Sequence, residues 1–221
     1  MGIVIAIDGP AGAGKSTIAR RVAERLGFTY IDSGAMYRTI ALWASREHVD
    51  LQDAVRMEQL ALAANIEFGS QKRVRLNGED VSDAIRTPEI SVKASQVAAL
   101  KLVRAALVTK QREIASHNDV VMEGRDIGSI VFPEARVKIF LDADHGERVR
   151  RRLTEQPHLE SETLAQQIAE RDARDRTRTE SPLMQAPDAV YFDSTGLSPE
   201  EVEEAVLKVV RSRICNGKAT H

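Results

Sequence analysis

The stretch that most constrains this chain is Gly9-Pro-Ala-Gly-Ala-Gly-Lys-Ser-Thr17. Gly9, Gly14, Lys15 and Ser16 satisfy the pattern G-x-x-x-x-G-K-[ST]. The aliphatic run Ile3–Ile7 before it reads as a buried strand. After Lys15, Ile18, Ala19, Val22, Ala23 and Leu26 recur at helical spacing. A glycine-rich turn between strand and helix brings successive backbone N–H groups round one anion, and the helix start adds its positive dipole end. Gly9, Pro10, Ala11, Gly12, Ala13, Gly14, Lys15, Ser16 and Thr17 are therefore read as a triphosphate loop. Lys15 is placed at the β- and γ-phosphates and the Ser16 hydroxyl at Mg²⁺. The loop names the donor and says nothing of the acceptor.

Downstream, short aliphatic runs alternate with helical segments. Phe28–Ile31, Asp119–Met122, Val137–Leu141 and Ala189–Phe192 read as further strands. With the first, they predict a five-stranded parallel sheet covered by helices on both faces. Ser33 is expected to cap the helix that runs to about Arg46. A helical segment covers Leu51 to Ala64, and Asp144 and Ser198 stand at later helix starts. Thr87-Pro88 opens a helix whose spacing continues to about Ala115, with a break near Leu100. Between these, Ile66–Phe68 and Val74–Leu76 alternate, Asn77-Gly78 turns the chain, and Val81 continues the pairing. That is a small antiparallel insert outside the main sheet.

In open parallel sheets, ligands bind beyond the C-terminal strand ends. Gly9, Asp32-Ser33, Gly124-Arg125-Asp126 and Asp142 each follow a strand, so they are expected on one edge. Ser33, Tyr37, Arg38 and Arg125 have the chemistry to hold a second phosphate. Residues 148–178 hold eight arginines and no lysine, with acids interspersed. Arg171, Asp175 and Arg178 share one helical face, as do Arg148 and Arg152. Gln156-Pro157-His158 breaks the stretch and makes a hinged cover plausible, one that excludes water as an acceptor. Asp8 and Asp126 are the acids placed to contact metal-bound water or the acceptor, with a purely structural strand-end role open to Asp8.

The net charge of −2 argues against a non-specific nucleic-acid binder. The single cysteine, Cys215, rules out an intrachain disulfide framework and fits a reducing compartment. No apolar run approaches a membrane span, no secretory signal is read, and Ala6 argues against a myristoylation motif. A cytoplasmic location follows, with the polar end Asn216–His221 expected to fray. The five histidines lack ligand spacing. No guanine-reading Asn-Lys-x-Asp segment supports a nucleotide switch.

The chain resembles the bacterial cytidylate kinases over almost its whole length. The resemblance rests on Ile7-Asp-Gly-Pro-Ala-Gly-Ala-Gly-Lys-Ser-Thr17, Asp32-Ser-Gly-Ala-Met-Tyr-Arg38, Ile85-Arg-Thr87, Ala94-Ser-Gln-Val-Ala98, Gly124-Arg-Asp126, Val131-Phe-Pro133, Lys138-Ile-Phe-Leu-Asp142 and Glu170-Arg-Asp172 through Arg178. It implies a nucleoside monophosphate kinase fold, with a core (1–62, 104–147, 179–221), a monophosphate-binding insert (63–103) and a helical lid (148–178). It implies a monomer using ATP with Mg²⁺ and CMP or dCMP. Ser33, Arg38, Arg125 and Arg178 then match the CMP phosphate ligands, and Ser95, Arg104 and Asp126 the cytosine readers. Arg171 and Asp175 match ribose contacts, Arg148 and Arg152 the lid side of the ATP phosphates. Lys15, Arg125 and Arg178 become the catalytic cations, and Tyr37 belongs to the CMP side. One departure is Leu100-Lys101-Leu102 ahead of Arg104, where the family commonly has Phe-Pro; it is expected to tilt the helix that carries Arg104.

Overall fold

The computed structural model describes residues 2–69, 73–157 and 159–215. His158 of the expected hinge and the polar end Asn216–His221 lie outside the described residues, as do 70–72. The chain forms two compact units, Met1–Tyr30 with Ala115–His221, and Ile31–Ile114.

In chain order, β1 (Val4–Asp8) leads through the glycine loop into α1 (Lys15–Leu26), then β2 (Thr29–Asp32) and α2 (Ser33–Arg46). Next come α3 (Ala54–Ala63), β3 (Ile66–Phe68), β4 (Val74–Leu76), β5 (Glu79–Asp80), α4 (Pro88–Val97) and α5 (Lys101–His117). The chain returns through β6 (Val120–Gly124), β7 (Val137–Asp142), α6 (His145–Glu155), α7 (Ser161–Thr177), β8 (Val190–Asp193) and α8 (Pro199–Cys215).

The large sheet has five strands in the order β2-β6-β1-β7-β8. β1 lies parallel between β6 and β7, with Asp8 opposite Gly124 on one side and Phe140 on the other. β8 continues the sheet, pairing Asp142 with Asp193. β1 and β6 end level at Asp8 and Gly124, β7 and β8 run on to Asp142 and Asp193, and the loop, Arg125 and Asp142 leave from the same edge. Ile5, Ile7, Val121, Ile139 and Leu141 pack with Ile18 and Val22 of α1 and Val202, Val206 and Val210 of α8. The alternate residues Val4, Ala6, Val120 and Met122 are also buried, so both faces are covered. That is why these strands read as unbroken aliphatic runs.

In the unit Ile31–Ile114, α2, α4 and the three-stranded sheet β3-β4-β5 close round Met36, Ile40, Met57, Leu76, Ile85 and Leu107. β3, β4 and β5 pair antiparallel, and the Val81 N–H extends the ladder to the Val74 carbonyl. Thr87 caps α4 with Pro88 in its first turn, and the chain breaks between Val97 and Lys101, both as the sequence indicates. Ser33, however, is not the cap of α2. Asp32 sits in extended backbone and its carboxylate accepts the Ala35 N–H at 2.9 Å, so Ser33 is already helical. Among the described residues no helix is long and apolar enough to cross a membrane.

Gly9 marks the tightest approach in the sheet edge. A Cβ there would lie 1.9 Å from the Leu141 carbonyl oxygen, at a φ of +149°. Gly27, at φ +69°, has nothing within 4 Å of the same position. Urea unfolding is expected to show Gly9→Ala losing about 3 kcal/mol or more. Gly27→Ala is expected to lose only the backbone cost of roughly 1–2 kcal/mol. Equal losses at the two positions would show that the contact with β7 is not what demands glycine.

Candidate active site

The loop leaves β1 and ends where Gly14, at φ +89°, starts α1. Lys15 is buried, and its Nζ donates to the Pro10 carbonyl at 2.6 Å. From the same peptide, the Ala11 N–H donates to Asp172 Oδ1 of α7 at 3.2 Å. The Ala11 carbonyl then accepts from Arg148 Nη1 of α6 at 3.1 Å, and Arg148 also pairs with Asp172. In a trans peptide, C=O and N–H point in opposite directions. These contacts therefore turn the Pro10 oxygen and the Gly12 N–H away from α6 and α7. Arg148, matched above to the ATP phosphates, is buried and committed to the carbonyls of Ala11 and Ala143. Arg152 is more exposed and pairs with Glu155 at 2.6 Å. Ser16 is exposed at the start of α1. α6 and α7 pack on each other through Val149, Leu164 and Ile168.

Of the two roles open to Asp8, the structural strand-end one has visible contacts behind it. Both its oxygens are taken, by the Ile127 N–H at 2.8 Å and the Gly128 N–H at 2.7 Å. Those amides open a single π turn, Ile127–Val131, directly after Asp126. Burial pushes the Asp8 carboxyl up to about 6, even though the amides of Gly128 and Ile127 oppose the shift. Asp8 thus straps the loop strand to the segment that carries Arg125 and Asp126. The acid that sequence reasoning passed over is Glu123. It is buried near the end of β6, opposite Ile7, and accepts a hydrogen bond from the Tyr30 hydroxyl. Its charge partly offsets the depression of Lys15. The available signal was a carboxylate closing the apolar run Val120-Val-Met, an expensive choice without a partner.

Arg125 and Asp126 pair crosswise with the end of α7. Arg125 Nε meets Asp175 Oδ2 at 2.8 Å, and Arg178 Nη2 lies 3.7 Å from Asp126 Oδ1. Burial alone raises the Asp175 carboxyl, but the charges of Arg125, Arg171 and Arg178 outweigh it and hold the group low. For Lys15, burial and the Arg125 charge act together and push the ammonium down to about 7. Arg171 and Asp175 of α7 thus act on Lys15 together with Arg125. Arg178, expected on the same helical face, follows the helix end in extended backbone and acts on Asp175 and Asp126. Among the described residues no three acidic, histidine or cysteine side chains form a metal cage.

The unit Ile31–Ile114 carries its own cluster. Arg38 Nη2 is held by Asp32 Oδ2 at 2.6 Å, while Arg38 Nε is buried with no hydrogen-bond partner among the described residues. A side chain at Gly34 would come within 3.1 Å of Arg38 Nη1 and of Asp32 Oδ1, so both would have to shift by a few tenths of an ångström to admit it. Ser33 is buried in the first turn of the same helix. The Arg104 guanidinium lies 5.4 Å above the Tyr37 ring and donates to the Ala98 carbonyl at 3.0 Å. Ser95 is half-buried one turn before Ala98. Despite the Leu100-Lys101-Leu102 departure, α5 forms and the Arg104 N–H bonds the Leu100 carbonyl.

The family model for cytidylate kinase matches residues 5–212. The chain belongs to the cytidylate kinase family. It is 61% identical to a cytidylate kinase of Solibacter usitatus (strain Ellin6076), covering 98% of this chain and 95% of that protein. It is 48% identical to one from Geobacter sulfurreducens, covering 96% and 94%. A gluconokinase structure from Sinorhizobium meliloti 1021 shares the fold alone, with a TM-score of 0.50 and 15% identity over 100% of this chain and 98% of that one.

In this cytidylate kinase-family chain the loop lysine is poised to titrate when an anion arrives. With its ammonium at about 7 in the free protein, Lys15 is mostly neutral at pH 8. A triphosphate beside it favours the charged form and raises the value, so binding takes up a proton. Calorimetry of ATP binding at pH 8, in buffers of different ionisation enthalpy, should report uptake of about one proton. No uptake, or proton release, would show that Lys15 is already charged in the free protein.

Proposed function

We propose that the chain transfers the γ-phosphoryl group of ATP to CMP or dCMP, giving ADP and CDP or dCDP. Family membership sets the acceptor. The structural observation that carries the reading is the buried Nε of Arg38, without a partner among the described residues, a fixed donor in the unit that also carries Ser95 and Arg104. A buried guanidinium N–H without a partner is costly, and an anionic acceptor removes that cost.

Each residue is assigned by its chemistry. Gly9 to Thr17 hold the ATP phosphates, with Lys15 neutralising charge on the β- and γ-oxygens. Arg148 and Arg152 belong to the ATP side, Arg148 through its hold on Ala11. Ser33, Arg38, Arg125 and Arg178 take the CMP phosphate, and Arg171 and Asp175 the ribose. Arg104, Ser95 and Asp126 read cytosine, with Tyr37 under the Arg104 plane. An arginine donates to cytosine N3 and O2, while a serine or carboxylate accepts from the amino group. Uracil reverses the polarity at N3 and at position 4 and leaves buried groups unpaired.

In the transfer, an ionised oxygen of CMP attacks the γ-phosphorus in line as the bond to the ADP oxygen breaks. That oxygen needs no general base, so the protein's tasks are positioning and charge neutralisation. Lys15, Arg125 and Arg178 supply the cations. The donor available to a Mg²⁺ that would arrive with the nucleotide is the exposed Ser16 hydroxyl; among the described residues no cluster of acids, histidines or cysteines would cage an ion. When bound, the ion neutralises charge on the β- and γ-oxygens. We assign residues 1–62, 104–147 and 179–221 to the kinase core, 63–103 to the monophosphate-binding insert and 148–178 to a lid that keeps water from the γ-phosphate. The same reading makes the chain a cytoplasmic monomer with no nucleic-acid or membrane partner.

A panel of CMP, dCMP, UMP and AMP with ATP, followed by ADP release, tests this directly. CMP or dCMP should drive turnover far above UMP and AMP; no stimulation by any monophosphate would end the kinase reading. Arg104→Met should narrow the CMP-to-UMP preference by about 10- to 100-fold and leave the ATP KM unchanged. An equal loss for CMP and ATP would remove Arg104 from base reading. Lys15→Ala should reduce transfer to every acceptor alike, by about 100-fold or more.

A further inference from the structure

Arg151 was given no role by spacing or by family resemblance, yet it makes the last contact at the rear of the loop. Its Nη1 donates to the Ala13 carbonyl at 3.2 Å and to Ser194 Oγ at 2.9 Å. Its Nη2 donates to the Ser194 carbonyl at 2.7 Å, and its Nε to Glu147 Oε1 at 2.8 Å. Ser194 is buried; its Oγ lies 2.8 Å from the Asp142 carbonyl, the shorter of its two acceptor contacts, and 3.5 Å from the Ala13 carbonyl, and it accepts from Arg151. The Ser194 N–H ends on the same Asp142 carbonyl at 2.8 Å. The fork is thus fixed by α6 and by the ends of β7 and β8, and Ala13 O is the one atom of the loop it holds.

That contact decides the direction of one amide. No peptide bond in the described chain is cis, so the Gly14 N–H points opposite to the Ala13 carbonyl, away from α6. The Pro10–Ala11 bond obeys the same rule. Its N–H faces Asp172 on α7, and its carbonyl meets Lys15 Nζ on the far side. The Gly14 N–H therefore shares the face of the loop that Lys15 occupies. Gly14 has no Cβ to hold its peptide plane, and a side chain there would lie 3.4 Å from Arg151 Nη1. Without Arg151, only the longer 3.5 Å contact from the Ser194 hydroxyl stands behind the Ala13 oxygen, and the plane is freer to turn that oxygen toward the phosphates.

We propose that Arg151, seated by Ser194, is a positioning residue of phosphoryl transfer that holds the Ala13–Gly14 peptide so that the Gly14 N–H faces the ATP phosphates. It acts through the backbone and touches no reacting atom. The inference rests on Gly9–Thr17 being the ATP loop and is independent of the acceptor's identity.

The test is ATP binding by calorimetry without acceptor, then steady-state kinetics, on Arg151→Met, Arg151→Lys and Ser194→Ala, with melting temperatures throughout. Arg151→Met should weaken ATP binding about tenfold and lower kcat by a similar factor, with the CMP KM within about twofold of the parent. Ser194→Ala should move the same two quantities by about threefold, because Arg151 keeps its charge but loses its seat. Arg151→Lys should recover only part of the loss, since one ammonium cannot span both acceptors. Three results overturn the proposal. The first is a lower melting temperature with unchanged ATP binding in the folded protein. The second is an equal rise in both KM values. The third is a silent Ser194→Ala beside a large Arg151 effect, which would make Arg151 a direct phosphate ligand. Failure of CMP to serve as acceptor would show in the kinetics and leave the ATP-binding arm intact.

Discussion

A loop that binds phosphate through its own amides must turn those N–H groups to one side, and peptide geometry then sends the matching carbonyls to the other. The carbonyls need donors, or the arrangement has no fixed hand. In this chain Arg148 and Arg151 of α6 hold the carbonyls of Ala11 and Ala13, while Asp172 of α7 takes the Ala11 N–H. The arginine-rich helix is thus the rear wall of the loop as it stands in the free protein. The cost of burying these groups is met by pairing, since Arg148 and Asp172 neutralise each other.

The same edge of the sheet stores charge that a ligand can satisfy. Lys15 is depressed to about 7, because burial and the nearby Arg125 disfavour its cation. Asp8 is raised to about 6 by burial, yet its oxygens are spent on the backbone of the turn that follows Arg125-Asp126. One carboxylate therefore fixes the distance between the loop strand and the strand that supplies Arg125. The aliphatic packing of β1, β6 and β7 on α1 and α8 holds this polar edge in place. Strong electrostatic compromise at the strand ends over an apolar layer is the pattern expected where binding, rather than folding, is the use of the charge.

Much of this was legible from residues alone. The loop motif, the aliphatic runs and the cap residues Thr87 and Asp144 act locally, through backbone conformation and nearest neighbours, and the observed elements follow them. The cap of α2 did not follow, because Asp32 competes with Ser33 for the same amide and its carboxylate also reaches Arg38. Glu123 was passed over because nothing in a strand's periodicity says whether a terminal acid is solvated or, as here, buried beside Tyr30. The pairing of Arg125 with Asp175 instead of its neighbour Asp126 joins residues 50 apart in the chain.

The sequence by itself determined that a triphosphate loop stands between a strand and a helix, that parallel strands carry it, and that arginines gather late in the chain. Each of these depends on spacing within one turn or one strand, where chain geometry leaves few choices. Only the tertiary structure decided which arginines turn toward the loop's carbonyls, that Asp8 is a strap, and that the hydroxyl of Ser194 seats Arg151. Those outcomes rest on hydrogen bonds between residues such as Arg151 and Ala13, 138 positions apart. Partners so distant become neighbours only when the whole sheet has closed, and no local pattern carries their direction.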